Sequence, residues 1–244
     1  MTLSEILLVT GVILVSSFIQ GLSGFGIGTV AVPLLCLFTD VKVAVPLTLL
    51  FSVLMNTYFT VQLRQHIPWK KLAPLVIPIL LGIPVGTYFL KAMPSFILKI
   101  ALGAALIALA AYFLLVRPAL KELHIFWAYL AGFFVGCLGA SISTGISLVI
   151  YMSFQPWGKD LIKSTFAVCF LFLSVGGSIS SALNGLVTSK VILYFFVSLP
   201  VLAVGTLLGH ACYEQAKESL YRKIIIILIL IIGIVTLHQG IFAS

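Results

Sequence analysis

The sequence predicts an all-α, polytopic integral membrane protein made of two structural repeats, and three observations predict it. Of its 244 residues 61% are hydrophobic and 8% charged, a balance no soluble domain of this size shows. The few charges divide the chain into eight uncharged runs, six of them about the length of one membrane-spanning helix. The other two, the first and the fifth, are each 34 residues long and start 119 residues apart.

The first run, Ile6 to Thr39, contains Gly21-Leu22-Ser23-Gly24-Phe25-Gly26-Ile27-Gly28-Thr29-Val30-Ala31-Val32-Pro33. As one straight helix it would reach ~51 Å against a hydrocarbon core of ~30 Å. Each glycine weakens a helix by roughly 1 kcal/mol relative to alanine, and Pro33 removes an amide donor. Loose backbone is tolerated in lipid only where it faces protein or a wet cavity, so the run reads as a broken or re-entrant helix. Close packing of Gly24 and Gly28 against a neighbouring helix is the competing reading.

Runs two to four, Val43 to Leu63, Leu72 to Leu90 and Ile100 to Val116, read as single spans. Pro74, Pro78 and Pro84 predict a kinked or irregular third run. The fifth run, Ile125 to Gly158, repeats the first: at the 119-residue offset Ser143-Thr144-Gly145-Ile146-Ser147 falls on the glycine cluster, and Val204-Gly205-Thr206 falls on Val85-Gly86-Thr87. Ser164 to Ser189, Val191 to about Cys212 and Ile224 onward complete the second half. The repeats are therefore 1–120 and 121–244, each a broken segment followed by three helices, within one membrane domain.

Orientation follows from lysine and arginine. If all eight runs cross once, the basic residues split six to eight; if the first and fifth turn back, ten of the fourteen share a face. The second arrangement inverts the halves and puts both termini outside. Glu5, with no Lys or Arg before the first run, argues for a retained N-terminus rather than a cleaved signal peptide.

No acid, lysine or arginine lies inside a run, and the four cysteines show no C-x-x-C spacing. An enzyme, a metal centre and a cofactor site are therefore not expected. Asp40 and Asp160 read as helix caps. Lys163 either attracts an anion from the inner side or marks the interface. What the interior offers is broken backbone, hydroxyls and an amide. Helix ends exposed by a break suit a small anion without burying a protein charge. The expected binding residues are Ser23, Gly24, Gly26, Gly28 and Thr29 at the first break, Ser141, Ser143, Thr144, Gly145 and Ser147 at the second, and Asn56 in the second run.

The glycine stretch Gly21 to Pro33, Ala44-Val45-Pro46, Ile67-Pro68-Trp69-Lys70 and Gly82-Ile83-Pro84-Val85-Gly86 resemble the first half of the sulfite exporter TauE/SafE family, also called the 4-toluene sulfonate uptake permease family. Ser143 to Tyr151, followed by Lys159-Asp160 and Lys163-Ser164-Thr165, resembles that family's second signature, with hydroxyls where the family usually carries glycines. The resemblance implies a secondary transporter of a sulfur-containing oxyanion or organosulfonate, such as sulfite, thiosulfate or sulfoacetate, working by alternating access in the cell membrane. Its partners are that anion and the lipid bilayer, with no nucleic acid; a coupling proton or cation and homo-oligomerisation stay open. A passive anion channel and a non-transport scaffold are the alternatives.

Overall fold

A computed structural model describes residues 3–23, 27–116, 120–213 and 218–242, with the side chains of residues 23, 70, 159, 213 and 218–228 outside that description. The described residues form helices α1 (Leu3–Ser23), α2 (Ile27–Leu35), α3 (Val41–Gln62), α4 (Trp69–Ala92), α5 (Ser95–Leu115), α6 (Ile125–Ile142), α7 (Ile146–Phe154), α8 (Lys159–Leu183), α9 (Ser189–Tyr213) and α10 (Glu218–Phe242), and no strand. Seven of them are long and apolar enough to cross a membrane: α1, α3, α4, α5, α6, α8 and α9. The two 34-residue runs each contain a helix of spanning length followed by a nine-residue helix, α1 with α2 and α6 with α7.

Glycine sets how these helices meet. Gly132 lies against Leu75, Gly136 against Ile79 and Gly82, and Gly86 against Cys137 and Ala140. Residue numbers rise together on both sides, so α4 and α6 run parallel at a separation only small residues permit. Gly205 against Leu14 and Ser17, with Gly209 against Phe18 and Gly21, makes α1 and α9 a second parallel crossing of the same kind. By contrast α5 and α10 run antiparallel, with Gly103 on Leu237 and Gly240 on Ile100. So do α3 and α8, with Lys163 over the Phe59 ring at 5.4 Å and Gly177 against Leu49.

The two helix pairs open at opposite ends of α4. Lys121 N–H donates to Phe154 O at 2.9 Å, and Lys71, at the start of α4, pairs with Glu122 at 3.3 Å and sits 4.9 Å over the Trp157 ring. Both ends of the α6–α7 pair are thus beside the start of α4. The exit of the α1–α2 pair is beside its end: Lys42 Nζ donates to Lys91 O, Lys99 Nζ to Cys36 O, and Ser95 Oγ to Asp40. Its entrance lies at the same end. Tyr194 O–H donates to Glu5, and α9 runs parallel to α3, as Phe51 on Phe195 and Gln62 on His210 show.

The prolines of the third run lie inside α4, one helix from Trp69 to Ala92, along which α6 and α8 pack, and Pro33 lies inside α2. One local expectation changes. Asp40 does cap α3, accepting from Lys42 N at 2.7 Å, whereas Asp160 sits within the first turn of α8, whose cap is Gly158. In the first turn its charge still complements the helix dipole.

Candidate functional site

The last turn of α1 and the first turn of α2 come together with the turn between α6 and α7. α6 ends on Ser143, the only non-glycine residue with positive φ among the described residues (φ 56°, ψ 34°), whose N–H donates to Gly139 O at 3.1 Å. This left-handed residue ends the helix and turns the chain into α7. Its hydroxyl is 3.2 Å from Thr48 Oγ1, which itself donates to Val45 O at 2.9 Å. Thr48's one proton is thereby used, so Ser143 is the donor between them. Gly28, in the first turn of α2, lies directly against Ser143, and a Cβ at position 28 would overlap the serine's Oγ and carbonyl oxygen. Glycine is required there because one helix end touches the other.

The first break is organised by amides. Gln20, 1% exposed in the last turn of α1, accepts from Ile27 N at 3.0 Å through Oε1 and donates to Asn56 Oδ1 at 3.3 Å through Nε2. The side chain therefore bridges the gap: it caps the first amide of α2 and holds Asn56 of α3 in place. A buried pair of this kind is worth roughly 0.5–1.5 kcal/mol per bond, and more is lost if one partner is removed and the other left bare.

Between the breaks lies a cavity whose volume, taken as the space open to the centre of a water molecule, is about 30 Å³. That admits a couple of waters or one compact ion. Gln20, Gly28, Thr29, Ser52 and Asn56 line it from the first half, and Ser143, Thr144, Gly145, Phe170 and Ser174 from the second. No charged side chain is among its lining residues. Thr144 is 1% exposed, and its Oγ1 has no hydrogen-bond partner among the described residues. In this setting a bare hydroxyl is expensive, and it marks a place where an acceptor belongs. The first turn of α2 faces the cavity through Ile27, Gly28 and Thr29, and the N-cap of α7 faces it through Gly145, bringing two positive helix ends to one point.

Six of the expected residues, Gly28, Thr29, Asn56, Ser143, Thr144 and Gly145, are brought together here. Ser141 and Ser147 are not among the lining residues: Ser141 Oγ donates to Cys137 O at 2.7 Å within its own helix, and Ser147 Oγ donates to Ala131 O of α6 at 3.2 Å. Gly24, Gly26 and the side chain of Ser23 lie outside the described residues. Gln20, Thr48, Ser52, Phe170 and Ser174 went unanticipated. Gln20 had a signal, an amide one residue before the glycine run; Phe170 had none, since a phenylalanine in an apolar run looks like any core residue. No group of three metal-ligating side chains occurs among the described residues.

Neither a curated protein nor a solved structure matches this chain. The family model described as sulfite exporter TauE/SafE matches residues 8–236, nearly the whole length, including both breaks. With that match the chain belongs to the sulfite exporter TauE/SafE family of membrane transporters.

Proposed function

We propose that the protein is a secondary transporter that binds one small oxyanion, sulfite or a related sulfur anion, in the cavity between the two breaks. The observation that carries this is the convergence of two helix N-termini on a charge-free cavity holding the unpartnered Thr144 hydroxyl. An anion there accepts from Thr144 and from first-turn amides, which are already ordered and dehydrated, so little is lost in arranging them. A cation would find no carboxylate among the lining residues.

The reading includes two repeats, 1–120 and 121–244, related by inversion. The matching helix bounds support it, since Ile27–Leu35 shifted by 119 gives Ile146–Phe154. So do the opposite openings of the two helix pairs. The face carrying ten of the fourteen basic residues is then cytoplasmic, and both termini are outside. Alternating exposure of the cavity follows from tilting one hairpin with its glycine-packed partner helix against the other such unit.

The test is thermal stabilisation of the purified protein by sulfite, thiosulfate and sulfoacetate, with chloride as control. At a hundred times Kd a ligand adds about 2.7 kcal/mol, a shift of several degrees in Tm. Thr144→Val should remove most of that shift while leaving the ligand-free Tm unchanged or higher, because it deletes an unsatisfied buried hydroxyl. Equal stabilisation of wild type and Thr144→Val would sink the site. Flux into liposomes that ignores every imposed gradient except that of the anion itself would argue for a pore instead.

A further inference from the structure

α3 and α9 touch at two heights and part between them. At one height the rings of Phe51 and Phe195 stack with centroids 5.2 Å apart. At the other, Gln62 Nε2 donates to His210 Nε2 at 2.7 Å, and the imidazole meets the Tyr58 and Phe59 rings edge to face. Between these contacts lies a groove of about 290 Å³, measured as for the central cavity of about 30 Å³. Leu54, Met55 and Tyr58 line it from α3, and Leu202, Ala203 and Leu207 from α9. Thr206 also lines it, with its hydroxyl proton committed to Leu202 O at 2.7 Å. The walls therefore suit hydrocarbon and give a polar solute little in exchange for its water.

The setting says what hydrocarbon is available. Both helices are long and apolar enough to cross a membrane, and Leu54, Tyr58 and Leu207 are exposed, so the groove opens sideways onto lipid. From Phe51 to Gln62 the helix rises about 16 Å, the depth of one leaflet of a hydrocarbon core ~30 Å thick. The Gln62 end reaches the surface. There α3 gives way to a short turn in which Arg64 is exposed, and Lys71 and Lys121 are exposed on the same face. A gap of this width left empty would deprive its lining atoms of contacts on one side.

We propose that this groove binds one anionic phospholipid, with an acyl chain lying between α3 and α9 and the phosphate at the mouth, beside Gln62 and Arg64. The chain supplies the contact that the two helices do not make with each other between their touching points. The exposed basic residues of this face set the preference for an anionic over a zwitterionic headgroup. None of the groove's lining residues lines the central cavity, so the lipid site stands or falls independently of the anion site. Its place still matters to that site. α9 is packed on α1 through Gly205 and Gly209, and α3 carries Asn56, so the lipid joins the helix that supports the first break to the helix that holds its amide.

The test places the full chain in phosphatidylcholine liposomes containing a minor share of phosphatidylglycerol that carries a diazirine midway along one acyl chain. After illumination, peptide mapping by mass spectrometry should find residues 54–58 and 199–207 labelled roughly threefold or more above other lipid-exposed stretches such as 77–81. The same diazirine chain on phosphatidylcholine should label the groove roughly fivefold less, and Arg64→Gln should shrink that difference. Ala203→Phe fills the groove and should remove the focus of labelling, whereas Leu207→Ala widens it and should keep the focus. Label spread evenly over the exposed helices, or a focus that survives Ala203→Phe, would overturn the site. Equal labelling by the two headgroups would overturn the anionic preference. A groove left unlabelled in a chain that runs as a dimer would assign it to a second copy and overturn the lipid.

Discussion

The two breaks occupy equivalent places in the chain, yet they are built from different chemistry. The first is held by amides, with Gln20 crossing the gap to cap α2 and gripping Asn56. The second is held by hydroxyls, with left-handed Ser143 tied to Thr48 and Thr144 left bare. At the 119-residue offset Gln20 corresponds to Gly139 and Asn56 to Val175, so neither amide has a counterpart. The two breaks therefore give one cavity a satisfied side and a side still short of an acceptor. Asymmetry of this kind suits an asymmetric ligand held in one orientation.

The largest effect that could break this comparison comes from placing a methyl group in each break. At Gly28 the new Cβ meets the Ser143 carbonyl oxygen as well as its hydroxyl, and backbone cannot step aside. Gly28→Ala should cost about 3 kcal/mol or more of stability and abolish sulfite-induced stabilisation. At Gly145 the obstacle is the Phe170 ring, which can swing away, so Gly145→Ala should cost about 1 kcal/mol and reduce binding without abolishing it. Thermal denaturation with and without sulfite checks both, and equal losses would mean that the two breaks are not in the contact described.

A smaller effect sharpens the role of Ser143. Its left-handed backbone favours glycine, so Ser143→Gly should raise ligand-free stability by a few tenths of a kcal/mol after loss of the Thr48 bond is counted. Binding should then weaken only slightly, because Thr144 rather than Ser143 has the unused hydroxyl. The smallest effect belongs to Ser147, whose hydroxyl is committed to Ala131 O. Ser147→Ala should leave sulfite affinity unchanged and shift stability by about 1 kcal/mol at most, as melting curves at several sulfite concentrations would show.

Much of the architecture was legible because membrane burial leaves coarse marks: run lengths, charge spacing and two aligned interruptions. The offset found by matching runs lands on the bounds of α2 and α7 themselves. Side-chain direction was not legible. Whether Ser147 faces the cavity or α6 depends on the rotational phase of a nine-residue helix, and that phase is set by where Ser143 turns the chain, not by composition. Gln20 is hidden for a different reason. Glycines mark the backbone that a break frees, whereas the side chain that satisfies this backbone lies just upstream and carries no breaker signal. Asp160 shows that residue type suggests a helix start but does not fix which of the first positions the residue takes.

The glycine crossings carry a consequence for biogenesis. The α1–α2 pair of the first half is packed on α9 of the second, and the α6–α7 pair of the second half is packed on α4 of the first. During synthesis α1 must therefore wait in the bilayer, its glycine face unpartnered, until nearly the whole chain has been made. A ribosome stalled after the first half would leave an orphaned helix pair exposed to quality-control proteases. The two halves, supplied as separate polypeptides, would in contrast each hold the surface that the other lacks.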